Sequence, residues 1–110
     1  MALGPENELV VLMPVYNDWR ALSLLLPDLE RSLASSELKA RIVVVDDGSS
    51  TTAPVTLGQS HLKSIISVDV VSLRRNLGHQ RAIAVGLSYI EANLPPSMVV
   101  VMDADGEDNP

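Results

Sequence analysis

Met98-Val-Val-Val-Met-Asp-Ala-Asp105 is the stretch that decides the fold, an apolar run of strand length ending in two carboxylates one residue apart. Continuous Val and Met runs of this kind form strands buried on both sheet faces, and the residues past their C-terminal ends emerge at a rim open to ligands. Asp103 and Asp105 fall at that rim. Two carboxylates so close repel each other unless hydrogen-bonded or bridged by a cation, so a hard divalent metal suits them. A plain Asp105-Gly106 turn that ends the strand accounts for the stretch equally well. An EF-hand fits worse: it needs Gly at the sixth loop position, and here Gly106 is fourth and follows a strand-like run.

The same strand-then-polar pattern recurs upstream. Glu8–Pro14 reads as a first buried strand stopped by Pro14. Asn17 or Asp18 can cap the helix that follows, in which Leu22, Leu26, Leu29 and Leu33 make one apolar face. Pro27 is expected to kink or split that helix near Leu26, since an interior proline costs about 3 kcal/mol. Arg41–Asp46 is a second strand and Asp47–Pro54 a loop; Val55–Leu62 is ambiguous and compatible with a short helix. Ile65–Leu73 is a third strand, interrupted by Ser67, Asp69 and Ser72 as befits a sheet edge. Beyond Asn76–Gln80 a second helix presents Ile83, Leu87, Ile90 and Leu94, ends at Pro95-Pro96, and carries Gly86 where helix and sheet can approach closely. Met98–Met102 is the last strand.

Strands alternating with helices give an α/β fold, a Rossmann-like parallel sheet with right-handed crossovers and helices on both faces. In strand order 3-2-1-4 the winding reverses between the first and fourth strands, where open α/β sheets bind ligands. Pro14–Asn17, Asp46–Gly48 and Asp103–Asp105 would all reach that crevice.

At 110 residues, the chain has the size of one domain with one core, and 46% hydrophobic with 20% charged residues is a globular composition. There is no Phe, so aliphatic side chains fill the core. Fourteen acids against eight bases, a formal charge of −6, argue against nucleic acid as a partner, although Arg74, Arg75 and Arg81 cluster. The absence of cysteine removes disulfides, thiolate metal sites and Cys nucleophiles, and suits a cytoplasmic setting. No run reaches the roughly 18 apolar residues of a membrane span, and the N-terminus lacks the basic start of a signal peptide.

Several features near the expected crevice have chemical uses, each with a structural alternative. Asp46 and Asp47 can accept hydrogen bonds from a base N–H or ribose hydroxyls, or can belong to an ordinary Asp-Gly turn. Tyr16 offers a flat face and one hydroxyl for a base, or simple amphipathic packing. Asn76–Arg81 sets a Gly, polar side chains and a cation at a helix start, which suits a diphosphate as well as an ordinary cap. His61 and His79 read as surface or packing residues.

Pro14-Val-Tyr-Asn17, Val43-Val-Val-Asp-Asp-Gly-Ser49, Asn76-x-Gly78 continuing to Ala82 and Gly86, and Val99-Val-Val-Met-Asp-Ala-Asp105 together resemble the ordered motifs of the family 2 glycosyltransferases. The likeness spans nearly the whole chain, and the third motif with Pro110 five residues after Asp105 is most similar to the branch that moves a hexose onto dolichyl or polyprenyl phosphate. It implies the N-terminal, nucleotide-binding half of a GT-A fold. Asp46 or Asp47 and Tyr16 would hold the nucleoside of a UDP- or GDP-hexose, with Pro14, Asn17, Asn76 and Arg81 completing the donor pocket. Asp103 and Asp105 would bind the diphosphate through Mg²⁺ or Mn²⁺. Glu107 stands where that branch often has a Gln, an added negative charge beside the metal.

The reaction so implied is inverting displacement at the anomeric carbon, with a lipid phosphate as acceptor. The acceptor groove and any membrane anchor are expected beyond Pro110, so the 110 residues alone are expected to bind nucleotide weakly, transfer no sugar and self-associate through an open edge at the last strand. Among rival readings, a phosphotransfer receiver domain needs an acidic pair after its first strand, where Pro14 stands, and a fifth strand. A non-catalytic nucleotide-binding or interaction fragment shares every feature of the transferase except its acceptor side.

Overall fold

The computed structural model describes residues 8–54, 57, 63–94 and 98–103. Its elements run β1 (Glu8–Val15), α1 (Trp19–Ser35), β2 (Lys39–Asp46), β3 (Ile65–Ser72), α2 (His79–Asn93) and β4 (Met98–Val101). The four strands form one sheet in order β3-β2-β1-β4, every neighbouring pair parallel. The expected topology is therefore the observed one. Of the ambiguous Val55–Leu62, all but Leu57 lies outside the described residues.

Period-two alternation divides the central strands between two cores. Val11, Met13 and Val15 of β1 and Ala40, Ile42 and Val44 of β2 face α1, meeting Trp19, Leu22, Leu26 and Leu33. Val10, Leu12, Val43 and Val45 face the other way, toward Ala82 and Ile90 of α2. Helices thus cover both faces. Val and Leu recur without polar interruption in β1 and β2 because neither face is wet.

Three local expectations are corrected. Pro14 does not stop β1: the strand continues to Val15, and Pro14 stays in register with Val45. Successive residues of a strand send their backbone groups to opposite neighbours. Val15 O accepts from Asp47 N, on the β2 side, and Leu12 O accepts from Met102 N, on the β4 side. Pro14 shares the parity of Leu12. Its missing N–H therefore faces β4, whose pairing with β1 ends at Val101, and the ladder with β2 loses nothing.

Pro27 does not split α1, which runs from Trp19 to Ser35 as one helix. Burial of Leu22, Leu26 and Leu33 against the sheet holds the turns on either side of the proline together. In α2 the face against the sheet is Ala82, Gly86 and Ile90, and Leu87 is left 43% exposed. Gly86 is the reason: a Cβ built there would overlap Leu12 Cδ1 and lie 2.9 Å from Val45 Cγ2. The helix sits so close that its small residues must point inward.

Candidate functional site

At the C-terminal rim of the sheet, a cavity of about 320 Å³ opens between the ends of β1 and β4, lined by Pro14, Val15, Tyr16 and Asp18 on one side and by Asp47, Asn76, Gly78, His79 and Asp103 on the other. It lies at the winding reversal that the strand order creates.

The far wall is built by Asp47, which is only 4% exposed. Its Oδ1 accepts from Leu77 N at 2.7 Å, and its Oδ2 accepts from Gly78 N and Asn76 Nδ2, each at 3.1 Å. One carboxylate thereby ties the β3–α2 loop to the end of β2. The neighbouring Gly48 makes the fit possible, with φ +78 and no room for a Cβ, which would overlap the backbone of Arg75 and Asn76. Asp46 is spent locally, its Oδ1 accepting from Ser49 N at 2.9 Å. Two backbone N–H groups just before α2, those of Leu77 and Gly78, thus already donate to Asp47.

The near wall is braced by Asn17, whose φ of 61° is one that Asn tolerates better than most residues. Asn17 N donates to Ser49 Oγ at 2.8 Å, and its Oδ1 accepts from Ser50 N at 2.9 Å. Trp19 Nε1 donates to Thr51 O at 3.0 Å, a second tie to the loop after β2. Tyr16, on the same turn, is 50% exposed and lines the cavity. Asp18 takes the N-cap position of α1 but makes no side-chain cap bond, which corrects the expectation that Asn17 or Asp18 caps the helix.

Asp103 follows β4, partly exposed at the mouth, with Oδ1 at 3.3 Å from His79 Nε2. His79, read from the sequence as a surface or packing residue, is exposed and also lines the cavity. Asp105, Glu107 and His61 lie outside the described residues. Among the described residues no three His, Asp or Glu side chains form a metal cage. A divalent ion that also takes diphosphate oxygens needs only one or two protein carboxylates, so Asp103 fits as one such ligand.

Of the residues predicted for the site, Pro14, Tyr16, Asp47, Asn76 and Asp103 line one cavity. Asn17 and Asp46 shape its loops from outside the lining, and Arg81 lies exposed in the first turn of α2. Val15, Asp18, Gly78 and His79 also line the cavity, though none of them was named as a site residue. For Asp18 no signal was available, since an Asp before a helical run reads as a cap. His79 sits beside Gly78 within a recognised motif, and that adjacency was the missed hint.

The sequence profile described as Glycosyl transferase family 2 matches residues 10–110, which takes in β1, β2, the β3–α2 loop and the Asp103 end of β4. This chain belongs to that family. Among its relatives in the family are proteins named undecaprenyl-phosphate 4-deoxy-4-formamido-L-arabinose transferase. The one from Edwardsiella ictaluri (strain 93-146) is 35% identical over 100 residues, 91% of this chain and 30% of the relative. Those from Klebsiella pneumoniae (strain 342) and Proteus mirabilis (strain HI4320) are 30% and 31% identical, covering 96% and 94% of this chain and 31% of each relative. The chain spans less than a third of the length of these family members.

Proposed function

We propose that this chain is the donor-binding part of a glycosyltransferase that moves a sugar from a nucleotide diphosphate sugar, UDP- or GDP-linked, to a polyprenyl phosphate. The observation that carries the reading is the convergence on one rim cavity of an exposed aromatic face, Tyr16, and a mouth carboxylate, Asp103, in a family 2 fold. The relatives' printed names, which specify undecaprenyl phosphate, support a lipid phosphate acceptor.

In this reading the base stacks on Tyr16, and the diphosphate extends toward Asp103 and the first turn of α2. Asp103, with Asp105 and Glu107 as further candidates, holds Mg²⁺ or Mn²⁺ against the diphosphate. The ion supplies Lewis-acid stabilisation of charge on the departing group. Asp47 and Asn76 keep the far wall in place. A phosphate acceptor is already an anion at neutral pH and needs no general base, so displacement with inversion asks the protein only to align acceptor, anomeric carbon and leaving group. Transfer belongs to the whole protein, and donor binding is the part that the described residues carry.

Calorimetric titration with UDP and GDP, with and without Mn²⁺, tests binding; assay of nucleotide sugars with undecaprenyl phosphate tests transfer. Metal-dependent binding that Asp103→Asn weakens about tenfold or more is the expected result. Equal affinity with and without the ion, or an indifferent Asp103→Asn, would overturn the metal's place in the site.

A further inference from the structure

His79 opens α2 with a side chain that is 53% exposed, so burial in the core does not account for where its ring lies. Its Nε2 comes within 3.3 Å of Asp103 Oδ1, and both residues line the rim cavity. The two ends of this contact are held differently. His79 follows a braced loop: Leu77 N and Gly78 N donate to Asp47, and Gly78 O accepts from Ala82 N. Asp103 follows Met102, whose N donates to Leu12 O, so the backbone is tied to β1 up to the residue before it. Beyond that tie the carboxylate is 39% exposed, and the χ2 torsion of an aspartate is broad unless something holds one of its oxygens.

An ion pair this exposed adds little to stability, so the fold has no great need of it. Its effect is on orientation. A carboxylate that binds a metal is ordinarily steadied by a donor on its other oxygen, and losing that donor weakens the metal although no ligand is removed. Here the ring holds Oδ1 and leaves Oδ2 to be presented to the cavity. At 3.3 Å two bare lone pairs would repel, so the contact is one in which Nε2 carries a hydrogen, and a nitrogen so occupied has no lone pair for an ion. The neutral ring with its hydrogen on Nε2 and the charged ring can both donate in this way.

We propose that His79 is a positioning residue that fixes the Asp103 carboxylate for a divalent cation, acting through Asp103 and not as a ligand itself. The inference rests on the reading of Asp103 as a metal ligand. It joins the first turn of α2 to the end of β4, so the brace that Asp47 gives the β3–α2 loop is passed on, through one imidazole, to the residue that would meet the ion.

The test measures binding of Mn²⁺ alone, from the electron paramagnetic resonance signal of the free ion, to the native protein, His79→Ala, His79→Gln, Asp103→Asn and the double variant His79→Ala with Asp103→Asn. His79→Ala is expected to bind about tenfold more weakly than the native protein. His79→Gln, whose side-chain amide keeps a donor, should recover most of that loss. In the double variant His79→Ala should add nothing to the effect of Asp103→Asn, because a residue acting through a carboxylate has no work once the carboxylate is gone. Urea midpoints of His79→Ala and the native protein should coincide. Equal affinity of those two proteins would overturn the proposal, as would a Gln variant no better than Ala or an additive loss in the double variant, either of which would make His79 a ligand in its own right. A fall in the urea midpoint that accounts for the lost affinity would also overturn it. If the native protein binds no Mn²⁺, or Asp103→Asn binds it equally well, the metal reading of Asp103 fails and the proposal with it, an outcome distinct from failure of His79 alone.

Discussion

Asp47 holds the β3–α2 loop through two backbone N–H groups and one side-chain amide, so its removal strips three donors of their acceptor at once. Each buried donor left unpaired costs on the order of 1–3 kcal/mol, less whatever water recovers. Asp47→Ala is therefore expected to lower stability by about 2–3 kcal/mol in urea unfolding and to speed hydrogen exchange at Leu77 and Gly78. Nucleotide affinity should fall with it, because His79 and Asn76 ride on the same loop. Protection at Leu77 and Gly78 equal to that of the native protein would remove Asp47 from this role. At this scale the sequence was legible in which residues approach the site: Asp47 and Asp103 were marked by strand-end position and Asn76 by its place before a helix start. It was silent on what Asp47 holds, because its partner Leu77 lies 30 positions away and the choice depends on how two loops dock.

Two elements carry features whose energetics oppose one another. In α1, Pro27 forfeits one backbone hydrogen bond inside a 17-residue helix. An interior proline costs about 3 kcal/mol in helix stability, and the stiffer unfolded chain returns about 1 kcal/mol of that. Pro27→Ala is expected to stabilise the protein by about 2 kcal/mol, read as a higher urea midpoint with unchanged slope. A lower midpoint would mean that the proline shapes a bend the core requires.

The same helix presents Glu30 to the start of β3. Its carboxylate accepts from the backbone N–H groups of Lys63, Ser64 and Ile65 at 3.0–3.2 Å. Desolvation pushes the Glu30 pKa up, but the combined donation from Ser64, Ile65 and Lys63 outweighs it and leaves the group below its ordinary value of 4.5. A carboxylate whose pKa is lower folded than unfolded adds stability above its unfolded pKa, and loses it as pH falls through the folded value. Glu30→Gln should accordingly be less stable than the native protein at pH 7, and the gap should close below about pH 4. Parallel stability curves for the two proteins across that range would show that the clamp does not depend on charge.

For the molecule as a whole, β4 is the element least covered. It bonds to β1 along one side, no partner strand flanks its other side among the described residues, and Met98 and Val101 are 68% and 44% exposed. An apolar strand with unpaired backbone is a template for a second copy. The 110-residue chain is expected to self-associate with rising concentration in light scattering, and Val101→Lys to reduce that association by placing a charge on the edge. A concentration-independent monomer would count against the open edge. No helix among the described residues is long and apolar enough to cross a membrane.

The order of strands, the two-sided sheet and the Asp103 rim were determined by the sequence itself, because hydrophobic periodicity and strand-end chemistry depend only on spacings along the chain. Gly86 belongs with them, since a glycine inside an apolar helix announces a close contact. Other features were decided by tertiary structure alone: that β1 runs through Pro14, that Leu87 turns outward, that His79 meets Asp103, and that Asp18 leaves its helix uncapped. The physical reason is common to all four. A proline is harmless or disruptive according to which neighbour its missing N–H faces, and a carboxylate is cap, brace or ligand according to which donors folding brings within about 3 Å of it.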